Sequence, residues 1–262
     1  MDFPSPALKE QYQDAGNYRQ RTAVIARFRT NRHSWHRWVF DQFDFARESS
    51  ILELGCGPGT LWKQNLDRTP ATATIVLSDF SAGMLRDCAR NLGHYVSRFR
   101  FCQIDGAILP FREHSFDNVI ANLMLYHLPD HASALRDIRR VLAPHGALYA
   151  ATIGRRHMRE VWDAVHSILE IPSLLDAAEL FGLETGYEQL QEVFRQVEIR
   201  RFENSLRVTE VQPLVDYFTS IKPYIVAPPE RLAALREYFE RLIAQRGELL
   251  IPLDTGMFIA RN

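Results

Sequence analysis

The sequence predicts an α/β fold, a parallel sheet with helices on both faces. Three observations lead there. From Ser50 short apolar runs alternate with stretches of helical spacing; a glycine cluster, "GCGPG" (Gly55–Gly59), follows the first run; and acidic residues recur where the next runs end. Strand candidates separated by helical patterns imply βαβ units and parallel pairing.

Up to about Phe45 the chain reads as helical, amphipathic and rich in aromatics and arginine, as in "YRQRTAVIARFRTNRHSWHRWVFDQFDF". The strand candidates are Ile51–Leu54, Thr74–Ser78, Phe99–Ile104, Phe116–Asn122 and Ala147–Ile153, with helix candidates near Thr60–Leu66, Ser81–Leu92 and Ala132–Val141. Only "LPFREHS" separates the third and fourth strands, too few residues for a long helix. Past Ile153 the alternation breaks. Residues 155–194 read as helices, with "HMREVWDAVHSILEI" stopped at Pro172, and a strand-like "VEIRRFENSLRV" follows. Helix candidates then span Val211–Ile221 and Pro229–Arg246, the latter carrying Leu232, Leu235, Tyr238, Phe239, Leu242 and Ile243 at helical spacing. "GMFIAR" closes as a strand. The expected organisation is one domain over 1–262: a helical extension at 1–48, a ligand-binding core at 49–154, a helical insertion at 155–230, and a last helix and strand at 231–262.

Composition narrows the function classes. A chain of 262 residues, 46% hydrophobic and 24% charged, is ordinary for a globular protein. A net charge of −1 gives no electrostatic reason to expect nucleic acid or anionic lipid as partner. Three cysteines, Cys56, Cys88 and Cys102, share no CxxC or metal-ligand spacing, which favours a reducing compartment. The opening "MDFPSPALKEQYQDAG" lacks the basic and apolar regions of a signal peptide, and no apolar run approaches the ~18 residues of a membrane span. The expected location is the cytoplasm, without a membrane or nucleic-acid partner.

Three glycines in five residues call for bare backbone, because each weakens a regular element by about 0.5–1 kcal/mol relative to alanine. In open α/β sheets the first strand-to-helix turn is where backbone meets ligand. A dinucleotide site wants G-x-G-x-x-G. Here the spacing is G-x-G-x-G with Glu53 two residues before it. A carboxylate beside a pyrophosphate gains little, so a ligand with a cation and no phosphate suits the turn better; a tight turn with no ligand is the plainer alternative. Asp79, in "VLSDFSAGML", ends the second strand candidate. It is placed to accept from both hydroxyls of a ribose, or else to cap the next helix, a role Ser81 fills more naturally. Asp105 and Gly106, in "FCQIDGAILPF", follow the third strand, where an aspartate accepts from an exocyclic amine or simply closes a surface turn.

At these residues the sequence resembles a family. "ELGCGPGT", "SDFS", "DGAILPF", "FDNVIANLMLYHLPD" and "LRDIRRVLAPHGALYAAT", in order from about Tyr12 to Ile153, resemble successive motifs of the class I S-adenosylmethionine-dependent methyltransferases. The nearer resemblance is to the small-molecule branch typified by ubiquinone- and biotin-pathway enzymes. The resemblance implies a Rossmann-like seven-stranded sheet with an antiparallel last strand, "VEIRRFE" and "GMFIAR" being the sixth and seventh. It implies S-adenosylmethionine (SAM) as cofactor, with Glu53, Gly55, Cys56 and Gly57 at its methionine part. Asp79 falls at the ribose position, Phe80 and Met84 beside the adenine, Asp105 and Gly106 at its edge, and Asn122 toward the methionine amino group. "APHG" departs from the family's usual Lys-Pro-Gly-Gly turn, with His145 where a glycine is common.

The sulfonium already activates the donor methyl, so the protein's main task is alignment of the nucleophile. Such alignment contributes on the order of 7–11 kcal/mol, and oxygen or carbon nucleophiles also lose a proton. Tyr126 and His127 leave the fourth strand toward the acceptor side. With an unperturbed pKa near 6.5, His127 is a candidate base, or else a packing residue of a turn. His127 and His131 at i, i+4, with Asp130 between them, mimic a metal site, but Pro129 breaks the helix and no third convergent ligand is apparent, so no metal is expected. Tyr18, Trp35 and Trp38 either close over the cofactor or pack a helix on the sheet edge. The 155–230 segment, with Trp162, His166, Phe181, Tyr187, Tyr217 and Tyr224, is the candidate pocket for a small-molecule acceptor. Methylation of a small organic acceptor leads; the alternatives are a macromolecule methyltransferase and a SAM-fold protein that binds without methylating.

Overall fold

The computed structural model describes residues 4–45, 48–171, 177–221 and 224–262. Three helices come first, α1 (Pro6–Gln11), α2 (Gly16–Phe28) and α3 (Trp35–Asp41). Ser5 and Ser34 cap the first and third, accepting from Leu8 N and Arg37 N. The alternating region follows as β1 (Ser50–Leu54), α4 (Thr60–Lys63), β2 (Thr74–Asp79), α5 (Ala82–Leu92), β3 (Phe99–Gln103), β4 (Phe116–Asn122), α6 (His131–Val141) and β5 (Leu142–Ile153). The remainder is α7 (Arg159–Leu169), α8 (Ala177–Phe181), α9 (Gly186–Gln191), β6 (Gln196–Val208), α10 (Val211–Thr219), α11 (Pro229–Arg246) and β7 (Leu249–Arg261). The helix stop expected at Pro172 lies outside the described residues.

The strands form one seven-stranded sheet in the order β3-β2-β1-β4-β5-β7-β6. β1 to β5 run parallel, and β7 is antiparallel to both β5 and β6. The expected Rossmann-like sheet with an antiparallel last strand is what the chain forms. Strand order reverses between β1 and β4, and the carboxyl ends of these two strands therefore frame the crevice where such sheets bind ligands.

One face of the sheet buries Leu52, Leu54, Val119 and Leu148 against Leu135 and Ile138 of α6 and Phe181 of α8. The other buries Ile51, Ile75, Leu77 and Ile120 against Val39 of α3, Trp62 and Cys88. A third core lies away from the central strands, where α2, α7, α10 and α11 pack on the outer halves of β6 and β7. These halves exist because both strands run thirteen residues. Pairing of β7 to β5 stops at Ile153↔Thr255, while pairing of β7 to β6 continues to Val208↔Leu249. The pair projects past β5 as a two-stranded ribbon, and the helical insertion covers it.

The ribbon corrects the sequence expectation that the last strand is only "GMFIAR". Leu249–Asp254 belongs to it as well. Pro252 hid that half, since proline is foreign to central strands; here it faces Ser205 across a single ladder, where its missing N–H costs no bond. β5 likewise begins at Leu142 rather than Ala147. Val141 passes from α6 directly into the strand, and the surplus residues are absorbed by a register shift opposite Phe116–Asn118. His145 sits exposed on that bulge and is not among the residues with positive φ, so the "APHG" departure needs no glycine there. Ser81 caps α5 by accepting from Met84 N, which frees Asp79 from that duty.

The glycine turn is tied into the fold at its far end. Gly59 has φ +70°, and a Cβ built on it would stand 2.4 Å from the Sγ of Cys88 on α5. Gly59→Ala is expected to lower stability by about 2–4 kcal/mol through left-handed strain and overpacking. Urea denaturation checks this, and Cys88→Ala in the same chain should restore only the packing share.

Candidate active site

A cavity of about 760 Å³ opens at the carboxyl ends of β1, β2 and β4. α1, α2 and α3 contribute to its walls, as do Trp162 of α7 and Tyr217 of α10. Gly55, Gly57 and Gly59 all have positive φ, at +63°, +53° and +70°. Conformation is therefore the first reason for the glycines, and their surroundings then differ. A Cβ on Gly55 would crowd Met124 at 3.0 Å, whereas one on Gly57 would meet nothing within 4 Å. Of the three, Gly57 is the one whose missing side chain leaves open space beside the backbone. Cys56 N donates to Ser78 O at 2.8 Å, tying the turn to β2, while its buried thiol is pushed up by Cys88 and by burial.

Asp79 stands at the end of β2, 6% exposed, with both oxygens engaged by backbone. Gly57 N donates to Oδ2 at 3.0 Å and Ser81 N to Oδ1 at 2.9 Å. Burial outweighs these donors and lifts its pKa to about 6. Glu53, on β1, is 2% exposed and accepts from Trp62 Nε1 at 2.6 Å. Burial, reinforced by the charge of Asp79, pushes Glu53 to about 8 against the opposing Trp62 bond. The carboxyl therefore holds its proton at neutral pH and stands beside the cavity as a site where a cation would be welcome. Sequence reading missed Trp62; the signal was an aromatic three residues past the last glycine, positioned by α4 to reach back to β1.

Asn122, ending β4, accepts from Trp35 Nε1 at 3.2 Å. Tyr18 reaches within 3.3 Å of His36 Nε2, and burial raises the phenol while holding His36 near a pKa of about 4. Phe80, Met84 and Gly106 also line the cavity. Asp105 does not. Its Oδ1 accepts from Ala107 N at 2.8 Å, and the residue borders an adjoining groove with Phe80, Ser81 and Gln103.

Tyr126 and His127 occupy the short helical turn after β4, and both line the cavity. His127 Nε2 lies 3.0 Å from the Tyr12 hydroxyl, and the Tyr126 ring packs 4.5 Å from the imidazole. The expectation of an unperturbed imidazole is corrected here. Burial, helped by the nearby charge of Arg21, lowers His127 to about 4, and burial raises the Tyr126 phenol. Of the insertion's aromatics, Trp162 and Tyr217 line the cavity. Phe181 is core, Tyr187 and Tyr224 are exposed, and His166 packs beside Trp162. Tyr12, Arg21 and His36 escaped sequence reading because their roles come from packing across more than a hundred residues of chain in the case of Tyr12 and His127. Asp130 caps α6 by accepting from Ser133 N, and no metal-holding group of three His, Cys, Asp or Glu exists among the described residues. No described helix is long and apolar enough to cross a membrane.

Residues 52–150 match the family model described as a methyltransferase domain. The matched residues run from β1 into β5, the parallel part of the sheet. The ubiquinone/menaquinone biosynthesis C-methyltransferase of Hahella chejuensis is 34% identical over 117 residues, 44% of this chain and 47% of that protein. The chain thus spans about half the length of the curated relatives it matches. Among solved structures, phosphoethanolamine N-methyltransferase 2 of Haemonchus contortus superposes with a TM-score of 0.59 at 15% identity, over 97% of this chain and 59% of that one. The [4+2]-cyclase SpnF superposes at 0.55 and 16%, over 100% and 99%. At such identities these two speak for the fold.

The buried acids set a stability signature. From 4.5 to about 8 the folded chain keeps a proton on Glu53 that the unfolded chain has lost, so this group lowers stability as pH rises. His36, His127 and His157, all held near 4, act oppositely, but their contribution is complete above 6.5. Stability should fall between 6.5 and about 8, and Glu53→Gln should flatten that slope in denaturant titrations across pH.

Proposed function

We propose that the protein binds S-adenosylmethionine in this cavity and methylates a small organic acceptor. The observation that carries the reading is the pairing of a buried, proton-holding Glu53 with the open backbone of Gly57. A carboxyl that deep, at the ligand end of β1, needs a cationic partner before it ionises without loss. The methionine ammonium is such a partner. The other residues fit the same molecule by their chemistry: Asp79 has lone pairs left for ribose hydroxyls, Phe80 and Met84 offer apolar flanks for adenine, and Gly57 leaves room for close approach. Asn122 and the Cys56 and Gly55 backbone belong to the methionine end, with Tyr18 above it. Gly106 takes the adenine edge, with Asp105 reaching it from the adjoining groove.

When bound, the cofactor would supply an activated methyl group carried on a sulfonium. The chain's own residues orient the acceptor, exclude water and take up its proton. The aromatic wall of Trp35, Trp162, Tyr126 and Tyr217 does the first two. The Tyr12–His127 pair does the third, with an imidazole that is neutral and so ready to accept throughout the physiological range. The proposed setting is the cytoplasm, with neither membrane nor nucleic acid as partner. The direct test is incubation with methyl-labelled SAM and whole extract of the source organism, followed by mass spectrometry of the labelled products. Label in a small molecule is expected. Label in protein or RNA, or binding of SAM without transfer, would overturn the reading.

Two further outcomes are expected. Calorimetry of SAM binding near neutral pH, run in buffers of different ionisation enthalpy, should show proton release as Glu53 ionises against the ammonium. Glu53→Gln should abolish that release, and Asp79→Ala should weaken binding by about one to two decades. His127→Ala should lower turnover with unchanged SAM affinity. The wild-type rate should stay level between about pH 6 and 8, because an imidazole near 4 has already lost its proton. A step near 6.5 would remove His127 from the role.

A further inference from the structure

The polar groups along the cavity are unevenly spread. Among the described lining residues the carboxylates are Glu53 and Asp79, both at the glycine turn, whereas Arg19, Arg21, Arg29 and Lys63 are all cations. Arg21 differs from the others in what it faces. It enters from α2, with its guanidinium carbon 5.3 Å from the centre of the Tyr12 ring. Tyr12 is the residue whose hydroxyl meets His127. The same positive charge reaches Tyr126 and Tyr217, two phenols kept protonated by burial.

None of these neighbours supplies a negative charge. Arg19, on the same helix, has Asp87 at 3.9 Å, but Arg21 takes part in no ion pair among the described residues. A guanidinium half-withdrawn from water among rings and neutral phenols has no counter-charge, and an anion in the cavity would supply one. Its planar fork matches a carboxylate bidentately. The surrounding surfaces, Tyr12, Tyr126, Tyr217 and Trp162, are those on which a flat ring packs.

We infer that the methyl acceptor is a small aromatic acid, its carboxylate paired with Arg21 and its ring lying among Tyr12, Tyr126, Tyr217 and Trp162. The inference rests on the proposed SAM-dependent activity and names the substrate class of that same site.

The test uses the full chain saturated with S-adenosylhomocysteine. The probes are 4-hydroxybenzoate, 4-aminobenzoate, 3-(4-hydroxyphenyl)propanoate and indole-3-acetate, each titrated beside its carboxamide. At least one acid should bind, about tenfold to a hundredfold tighter than its amide. Arg21→Met should erase that preference and Arg21→Lys should keep part of it, both with unchanged S-adenosylhomocysteine affinity. The acid–amide comparison on the unaltered chain stands whether or not the variants fold. Equal binding of acid and amide, or no binding of any acid, overturns the inference alone. So does loss of S-adenosylhomocysteine affinity in Arg21→Met, which would assign the guanidinium to the cofactor's own carboxylate. If the unaltered chain does not bind S-adenosylhomocysteine, the proposed function falls and the inference with it.

Discussion

Two carboxyl groups buried side by side, Glu53 on β1 and Asp79 on β2, are the constraint around which the site is built. Taking even one ionised carboxylate out of water is costly unless donors or a counter-charge meet it. The chain meets the cost in two ways. Asp79 receives the Gly57 and Ser81 amides, which requires the turn after β1 to bend through left-handed conformations only glycine adopts freely. Glu53 receives the Trp62 indole and otherwise keeps its proton. Short α4 exists to bring Trp62 back over β1. The strand order then sets both carboxyls at the point where parallel strands diverge, and the cavity forms there.

Around that centre the work is divided between two bodies of packing. The central strands, with α3, α4, α5 and α6, fix the acids and the glycine turn. The ribbon of β6 and β7, with α2, α7, α10 and α11, holds Trp162, Tyr217 and Arg21 from a separate core, while Trp35 and Tyr126 pack with the central strands. Changes to the second body can alter what the cavity accepts without disturbing the first. This is the arrangement expected where one cofactor chemistry serves many acceptors, since positioning rather than a fixed catalytic group decides the reaction.

Legibility in the sequence followed periodicity and local chemistry. The central strands were readable because buried parallel strands are short apolar runs between turn signals, and Ile51–Leu54 and Phe116–Asn122 have that form. The outer half of β7 was not, because Pro252 masks a strand wherever its neighbours are unknown. Glu53 and Asp79 were legible by position relative to the glycines. The state of Glu53 was not, for a raised pKa comes from burial that spacing does not reveal. His127 was picked out as a residue, yet its lowered pKa depends on α1 and α2 folding over it. Asp105 was legible by its motif position, while its place in the groove beside the cavity, with Oδ1 accepting from Ala107 N, was not.

The stitching of the first forty residues to distant chain has a consequence for biosynthesis. Thr30 N donates to Ser205 O, Asn31 to Glu203 O, and Gln11 to Ser220 O. The apolar face of α2 carries Val24 and Phe28, whose partners lie in β6, α10 and later segments. On a ribosome adding about 5–20 residues per second, these helices wait on the order of ten to forty seconds for the surfaces they cover. During that interval β1 to β5 acquire the residues they need to pair and α3 finds its partners in Ile51, Trp62 and Ile75, while α2 still lacks the surface it covers. The nascent chain can therefore form its five-stranded parallel half first and add α1 and α2 once β6 and α10 have been made.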